Sequence, residues 1–199
     1  QQSSTRTPAA SALPNKAAHN ELSRSSSQSF PLAKVNDGDK LVRLLLTDGT
    51  TQIVLSTLRG MSIRFSEEDV RPMGLIAAGV GGIKLQSGDQ VVSAELLKEK
   101  EELLFLSENG LGWRIPEAEF NTQARYGQGI IACRLDKMDK IIGMITGKRT
   151  SQGIVHFKKT MAKTVRVDAA PLGKRNRVGK TVFELRAENK VQSLSPIEE

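Results

Sequence analysis

The stretch Gly173-Lys174-Arg175-Asn176-Arg177-Val178-Gly179-Lys180 sets four cations between and beside two glycines. Ammonium and guanidinium groups at this density suit phosphate oxygens, and glycine lets the backbone come close to them. Lys148-Arg149, Lys158-Lys159 and Lys163 back the same stretch, and Arg125 is a further candidate. These ten cations read equally as a solvated basic face or as the contact surface for a polyanion.

Other residue types offer less chemistry. Gly173 to Gly179-Lys180-Thr181 has five intervening residues where a phosphate-binding P-loop has four, and Val182-Phe183-Glu184-Leu185 continues as strand rather than helix. His19 and His156 are the only histidines and lie far apart, so neither a metal site nor a Ser-His-Asp arrangement is expected. His156 alternates with Val155 and Phe157, the pattern of a surface position on a strand. Cys133 is the single cysteine, which excludes an internal disulfide and fits a reducing compartment. No cofactor and no metal are expected.

The elements that position the cations must be small. Of 199 residues, 38% are hydrophobic and 4% aromatic, lean for one thick core and suited to thin repeated units. No run approaches the roughly 18 apolar residues of a membrane helix. Gln1-Gln2-Ser3-Ser4 has neither methionine nor apolar signal core, the start expected of a fragment or processed piece without a secretory signal. Net charge is +3 over residues 1–35, −3 over 36–147 and +7 over 148–199, so the last quarter holds the positive field. Residues 1–34, rich in Ser, Ala, Gln and Asn, read as a disordered linker or tail.

From residue 35 the chain repeats at close to 50 residues. Gln52–Thr57 aligns with Glu102–Ser107, Gly60 with Gly110, Arg64 with Arg114, Gly79 with Gly129, and Asp89 with Asp139. The third copy needs a two-residue adjustment, placing Val165-Arg166-Val167 on Trp113-Arg114-Ile115, and returns to register by Gly179. Gly38-Asp39-Lys40-Leu41-Val42 matches Gly88-Asp89-Gln90-Val91-Val92. The predicted organisation is a partial unit (35–51) and three full units (52–101, 102–150, 151–197) within one repeat domain, 35–199. A period near 50 points to propeller-type blades. Ile53–Thr57, Ser62–Phe65, Gly82–Leu85 and Gln90–Ala94 are the four strands expected of the first blade, with helix plausible only at Glu95–Glu102, a blade junction that also reads as a turn. The fold class is all-β. Cys133, in the slot of Ile83, and Trp113, in the slot of Ile63, are expected in the core, and Asp39, Asp89 and Asp139 as turn formers.

The run Ile63-Arg64-Phe65-Ser66-Glu67-Glu68-Asp69-Val70-Arg71-Pro72-Met73-Gly74, then Gly79-Val80-Gly81-Gly82-Ile83 and Gly88-Asp89, resembles the blade signature of the C-terminal domain of DNA gyrase A and of its topoisomerase IV counterpart. The resemblance covers residues 35–197 and is fainter in the third unit. It implies a propeller-like β-pinwheel whose basic rim bends duplex DNA without reading its sequence. It also implies a bacterial type IIA topoisomerase as the setting, in the cytoplasm, with the rest of the gyrase A polypeptide and an ATPase B subunit as partners. Catalysis would lie elsewhere, because the family's cleaving Arg-Tyr pair sits in a winged-helix domain whereas Arg125-Tyr126 falls in a repeat loop.

Two departures from the family pattern bear on function. Leu75, Ala78 and Gly81 stand where the family carries arginines, which leaves the first loop nearly uncharged. The family's heptapeptide box, Gln-Arg-Arg-Gly-Gly-Lys-Gly, survives only in part as Gln123-Ala124-Arg125-Tyr126-Gly127-Gln128-Gly129. The competing reading is a degenerate propeller that binds proteins. Too few blades to close a disc would leave strand edges open to self-association.

Overall fold

The computed structural model describes residues 34–73, 77, 79–186 and 188–197. The described residues form an all-β array of small sheets, with no helix long and apolar enough to cross a membrane. The strands are β1 (Gln52–Thr57), β2 (Met61–Ser66), β3 (Val91–Leu97), β4 (Glu102–Ser107), β5 (Leu111–Pro116), β6 (Ile130–Ile131), β7 (Cys133–Arg134), β8 (Ile141–Gly147), β9 (Gln152–Phe157), β10 (Lys163–Arg166), β11 (Arg177–Val178), β12 (Lys180–Thr181) and β13 (Val191–Pro196). Each hairpin is followed by one 3-10 turn at the same place in its unit: Glu67–Asp69, Glu117–Glu119 and Val167–Ala169.

The apolar patterning follows from how the sheets stack. In β4, Leu103 and Phe105 join one core with Val54 and Trp113, while Leu104 and Leu106 join the next core with Val155 and Phe157. A strand buried on both faces needs a continuous apolar run. β9 belongs to the last described sheet and buries one face only, so Val155 and Phe157 point inward while Ile154 and His156 are exposed. Strict alternation is the result.

Turns repeat as faithfully as strands. Asp89 Oδ1 accepts from the backbone N–H of Arg59 (3.0 Å) and Gln90 (2.9 Å), and Asp139 Oδ1 from Asn109 (3.2 Å) and Lys140 (2.9 Å). Asn189 Oδ1 does the same for Lys159 and Lys190, at 3.1 Å each. Each carboxylate or amide thus ties the turn before β3, β8 or β13 to the tip of the hairpin of the same sheet. The turn-forming role expected of Asp89 and Asp139 is met.

Three expectations are corrected. The blade is not one sequence unit: β3-β1-β2 takes its fourth strand, β6, from the next unit, and β8-β4-β5 likewise takes β12. The sheet β13-β9-β10 has three strands among the described residues. Gly82–Leu85 forms no strand: of its counterparts, 182–185 form none either, and in 132–135 only Cys133–Arg134 do, pairing with β11 of the following unit. Glu95–Glu102 is not helical: Glu95–Leu97 continue β3, pairing with Gln52–Val54, and a turn follows. Leu75 and Ala78 lie outside the described residues, as do His19 and the expected tail up to residue 33.

Candidate nucleic-acid interface

The basic loop lies across the outer strand of the second sheet and is held there by its backbone. Gly173 N–H donates to the Arg114 carbonyl (2.9 Å) and Asn176 N–H to the Ala132 carbonyl (2.7 Å). β11 then runs parallel to β7, pairing Arg177 with Cys133 and Val178 with Arg134. β12 pairs Lys180 with Gly112 on β5. Between them, the indole Nε1–H of Trp113 donates to the Arg177 carbonyl at 2.6 Å. Asn176 turns the chain at φ 56°, a left-handed conformation that Asn tolerates better than most residues.

The second unit builds its loop in the same way. Gln123 N–H donates to the Arg64 carbonyl (2.8 Å), Tyr126 N–H to Gly82 (2.8 Å), and Tyr126 takes φ 65° in the slot of Asn176. A loop whose backbone is satisfied by the preceding repeat is free to spend its side chains on solvent or a ligand.

The ten cations fall into distinct places. Lys174, Arg175, Arg177 and Lys180 are exposed on the anchored loop, and none forms an ion pair among the described residues. Lys163 stands exposed on β10. A cleft lined by Thr164, Val165, Arg166, Val182 and Phe183 separates β10 from the chain leaving the loop. Lys148 and Arg149 sit at the turn entering β9, and Lys158 and Lys159 at the turn leaving it, so these two pairs occupy opposite ends of one strand. Lys159 is further engaged by Glu188.

Arg125 has a different employment. Its Nε donates to the Asp69 carbonyl (3.2 Å) and its guanidinium also bonds the Gly81 carbonyl, so it clamps the second loop onto the first unit. Arg134 was not among the ten. It is exposed beside Val178, at the foot of the basic loop, and the repeat had marked its slot with a cation already, at Lys84.

The remaining residues behave as supports. Arg114 makes a bidentate pair with Glu102, Nε to Oε2 at 2.6 Å and Nη2 to Oε1 at 2.9 Å, which raises the guanidinium pKa and keeps it charged beneath the loop. Cys133 and Trp113 are buried, as expected, and burial pushes the Cys133 thiol well up, away from a reactive thiolate. Tyr126 is 58% exposed, its ring lying over Gly81. No cluster of three or more His, Cys, Asp or Glu that could hold a metal occurs among the described residues. The arrangement can present an array of fixed positive charges.

A family model described as the DNA gyrase C-terminal domain, beta-propeller, matches residues 51–98 and 101–154. The DNA gyrase A protein of Pseudomonas aeruginosa is 31% identical over 183 residues, covering 90% of this chain and 20% of its own length. That of Salmonella typhimurium is 35% identical over 137 residues, covering 68% of this chain and 16% of its own. The chain spans about a fifth of the length of these curated relatives. Among solved structures, the C-terminal domain of DNA topoisomerase IV superposes with TM-score 0.78 at 26% identity, covering 84% of this chain and 53% of that one. The DNA gyrase A C-terminal domain shares the fold at TM-score 0.76 and 23% identity, covering 84% and 57%.

Proposed function

The chain belongs to the DNA gyrase C-terminal domain, beta-propeller family, and from that premise we propose that it binds the phosphates of duplex DNA, without sequence preference, through the loop Gly173–Lys180 and Arg134. The observation that carries this reading is the anchored loop: its backbone bonds go to Arg114, Ala132 and Trp113, while Lys174, Arg175, Arg177 and Lys180 are exposed with no ion pair among the described residues. Rigid, exposed cations on a satisfied backbone suit phosphate contact, which positions a duplex without reading its bases. The setting we propose is a bacterial type IIA topoisomerase in the cytoplasm, in which this domain is an accessory. Strand cleavage and ATP use then belong to the rest of the gyrase A polypeptide and to the B subunit.

The cations lie on the second and third units, whereas residues 72–83 carry no charge. We therefore place the DNA along the later blades, with the first loop contributing little grip. Bending a duplex of 20–30 base pairs costs on the order of 1–6 kcal/mol, an amount that several phosphate contacts offset.

The test is affinity for linear duplexes of increasing length as salt is varied. Five phosphate contacts predict a log-log slope of about −4 to −5, with affinity rising once the fragment is long enough to bend. Weak binding with a shallow slope and no length dependence would overturn DNA wrapping. A protein-binding role, favoured by the exposed apolar residues Leu44 and Leu46, would then take its place.

A further inference from the structure

The second loop, 123–129, and the basic loop of the third unit occupy one place in successive repeats. Gln123 N–H bonds the Arg64 carbonyl on β2 as Gly173 N–H bonds the Arg114 carbonyl on β5, and β6 closes on β2 as β12 does on β5. A duplex that follows this outer edge from one sheet to the next crosses both loops. What the second loop offers it is not free charge. Its one cation, Arg125, is occupied by the carbonyls of Asp69 and Gly81. The large side chain it presents is Tyr126, 58% exposed, whose hydroxyl has no hydrogen-bond partner among the described residues.

Tyr126 sits where its type is least at ease. A φ of 65° suits glycine or asparagine, and the third unit places Asn176 in this slot, at φ 56°. A bulky side chain persists there only because its surroundings fix it. Tyr126 N–H bonds the Gly82 carbonyl (2.8 Å), and its ring lies on Gly81, where any Cβ would collide with it. A ring seated in this way has little freedom left to lose on binding. Lys84 N–H bonds the Gly127 carbonyl (2.9 Å), so Lys84 stands at the foot of the second loop as Arg134 stands at the foot of the third. Lys84 is exposed and has no ion pair among the described residues. We infer that Tyr126 and Lys84 form a second contact with the DNA backbone, one sheet away from the basic loop. The phenol O–H donates to a phosphate oxygen, the ring packs on the adjoining deoxyribose, and the Lys84 ammonium neutralises a neighbouring phosphate. This assignment rests on the duplex-binding reading above and adds grip where the second loop has no cation to give.

The experiment is fluorine NMR of the whole chain labelled with fluorotyrosine, which gives one resonance because Tyr126 is the single tyrosine. A saturating linear duplex of roughly 30 base pairs, long enough to bend, moves that resonance, and salt sufficient to dissociate the complex returns it. Tyr126→Phe keeps the ring and lowers affinity about tenfold, as loss of a hydrogen bond to a charged group does. It leaves the log-log salt slope unchanged, since the phenol is neutral, whereas Lys84→Gln flattens the slope by about 0.9. Tyr126→Asn copies the third unit's residue into the slot: its melting temperature holds while its affinity falls. A ring that merely covers Gly81 gives the reverse, a lower melting temperature with affinity intact. A resonance unmoved by saturating duplex, or full affinity in Tyr126→Phe, overturns this second contact and leaves the basic loop's role standing if the parent chain still binds with a steep slope. A parent chain that does not bind duplex DNA at all overturns both.

Discussion

The indole Nε1 of Trp113 donates to the carbonyl oxygen of Arg177 at 2.6 Å, joining a core residue of the second sheet to the basic loop of the third unit. Gly179 rests against the same indole: a Cβ built there would come within 2.7 Å of Cζ2. One buried ring therefore sets both the height and the direction of the loop that carries Lys174, Arg175 and Lys180.

Trp113→Phe keeps most of the packing and removes this bond, with an expected stability loss of about 1 kcal/mol. Gly179→Ala drives a methyl into the ring, and overpacking of this kind costs about 1–3 kcal/mol. Both variants are expected to lower DNA affinity more than their melting temperatures imply, because the loop shifts even where the fold survives. Thermal unfolding alongside a binding titration checks this; affinity unchanged in Gly179→Ala would show that loop position does not matter.

Reversing Lys174, Arg175 and Arg177 to Glu removes three candidate phosphate ligands at one surface. Since all three are exposed and without an ion pair among the described residues, stability is expected to hold while most DNA affinity disappears. The log-log salt slope should flatten by about 0.9 for each phosphate no longer neutralised. Arg125→Gln is the contrasting variant. Its guanidinium holds the carbonyls of Asp69 and Gly81, so it should loosen the fold more than it alters the salt slope.

Glu102→Ala leaves the Arg114 guanidinium, 8% exposed, without its bidentate partner. Stranding a buried charge typically costs about 3–5 kcal/mol, and the partial exposure of Glu102 places this pair near the lower end of that range. The paired change Glu102→Leu with Arg114→Met should recover much of the loss. Denaturant unfolding of the three variants decides between an essential ion pair and a replaceable one.

Asp48 accepts from the backbone N–H of Thr50 and from the hydroxyls of Thr51 and Thr50, which lowers its pKa from 3.8 to about 2. A depressed folded-state value means that its contribution to the turn is complete above the ordinary value and is lost as pH falls through about 2. Carboxyl carbon shifts followed by NMR should show that midpoint. In Thr50→Val with Thr51→Val, the two hydroxyl bonds are gone and the midpoint should move up toward 3.8, the backbone bond holding it part of the way down.

Short-range pattern was enough to reveal the fifty-residue period, the all-β class and the recurring turns, because each depends on residues near one another in the chain. Asp89 and Asp139 announce their turns by position, and Val155-His156-Phe157 announces a strand with one buried face. The cations at 174–180 were equally visible, since charge density needs no fold to be counted. Which strand completes which sheet was decided only in three dimensions. Ile130–Ile131 and Lys180–Thr181 are pairings of two residues, too short for any periodicity, and their partners lie in the preceding unit. The places of individual arginines were decided the same way: Arg125 is drawn inward by two carbonyls, and Arg134 is carried to the foot of the loop by β7. Charge is a property of the residue, but whether that charge is available depends on the neighbours that tertiary packing supplies.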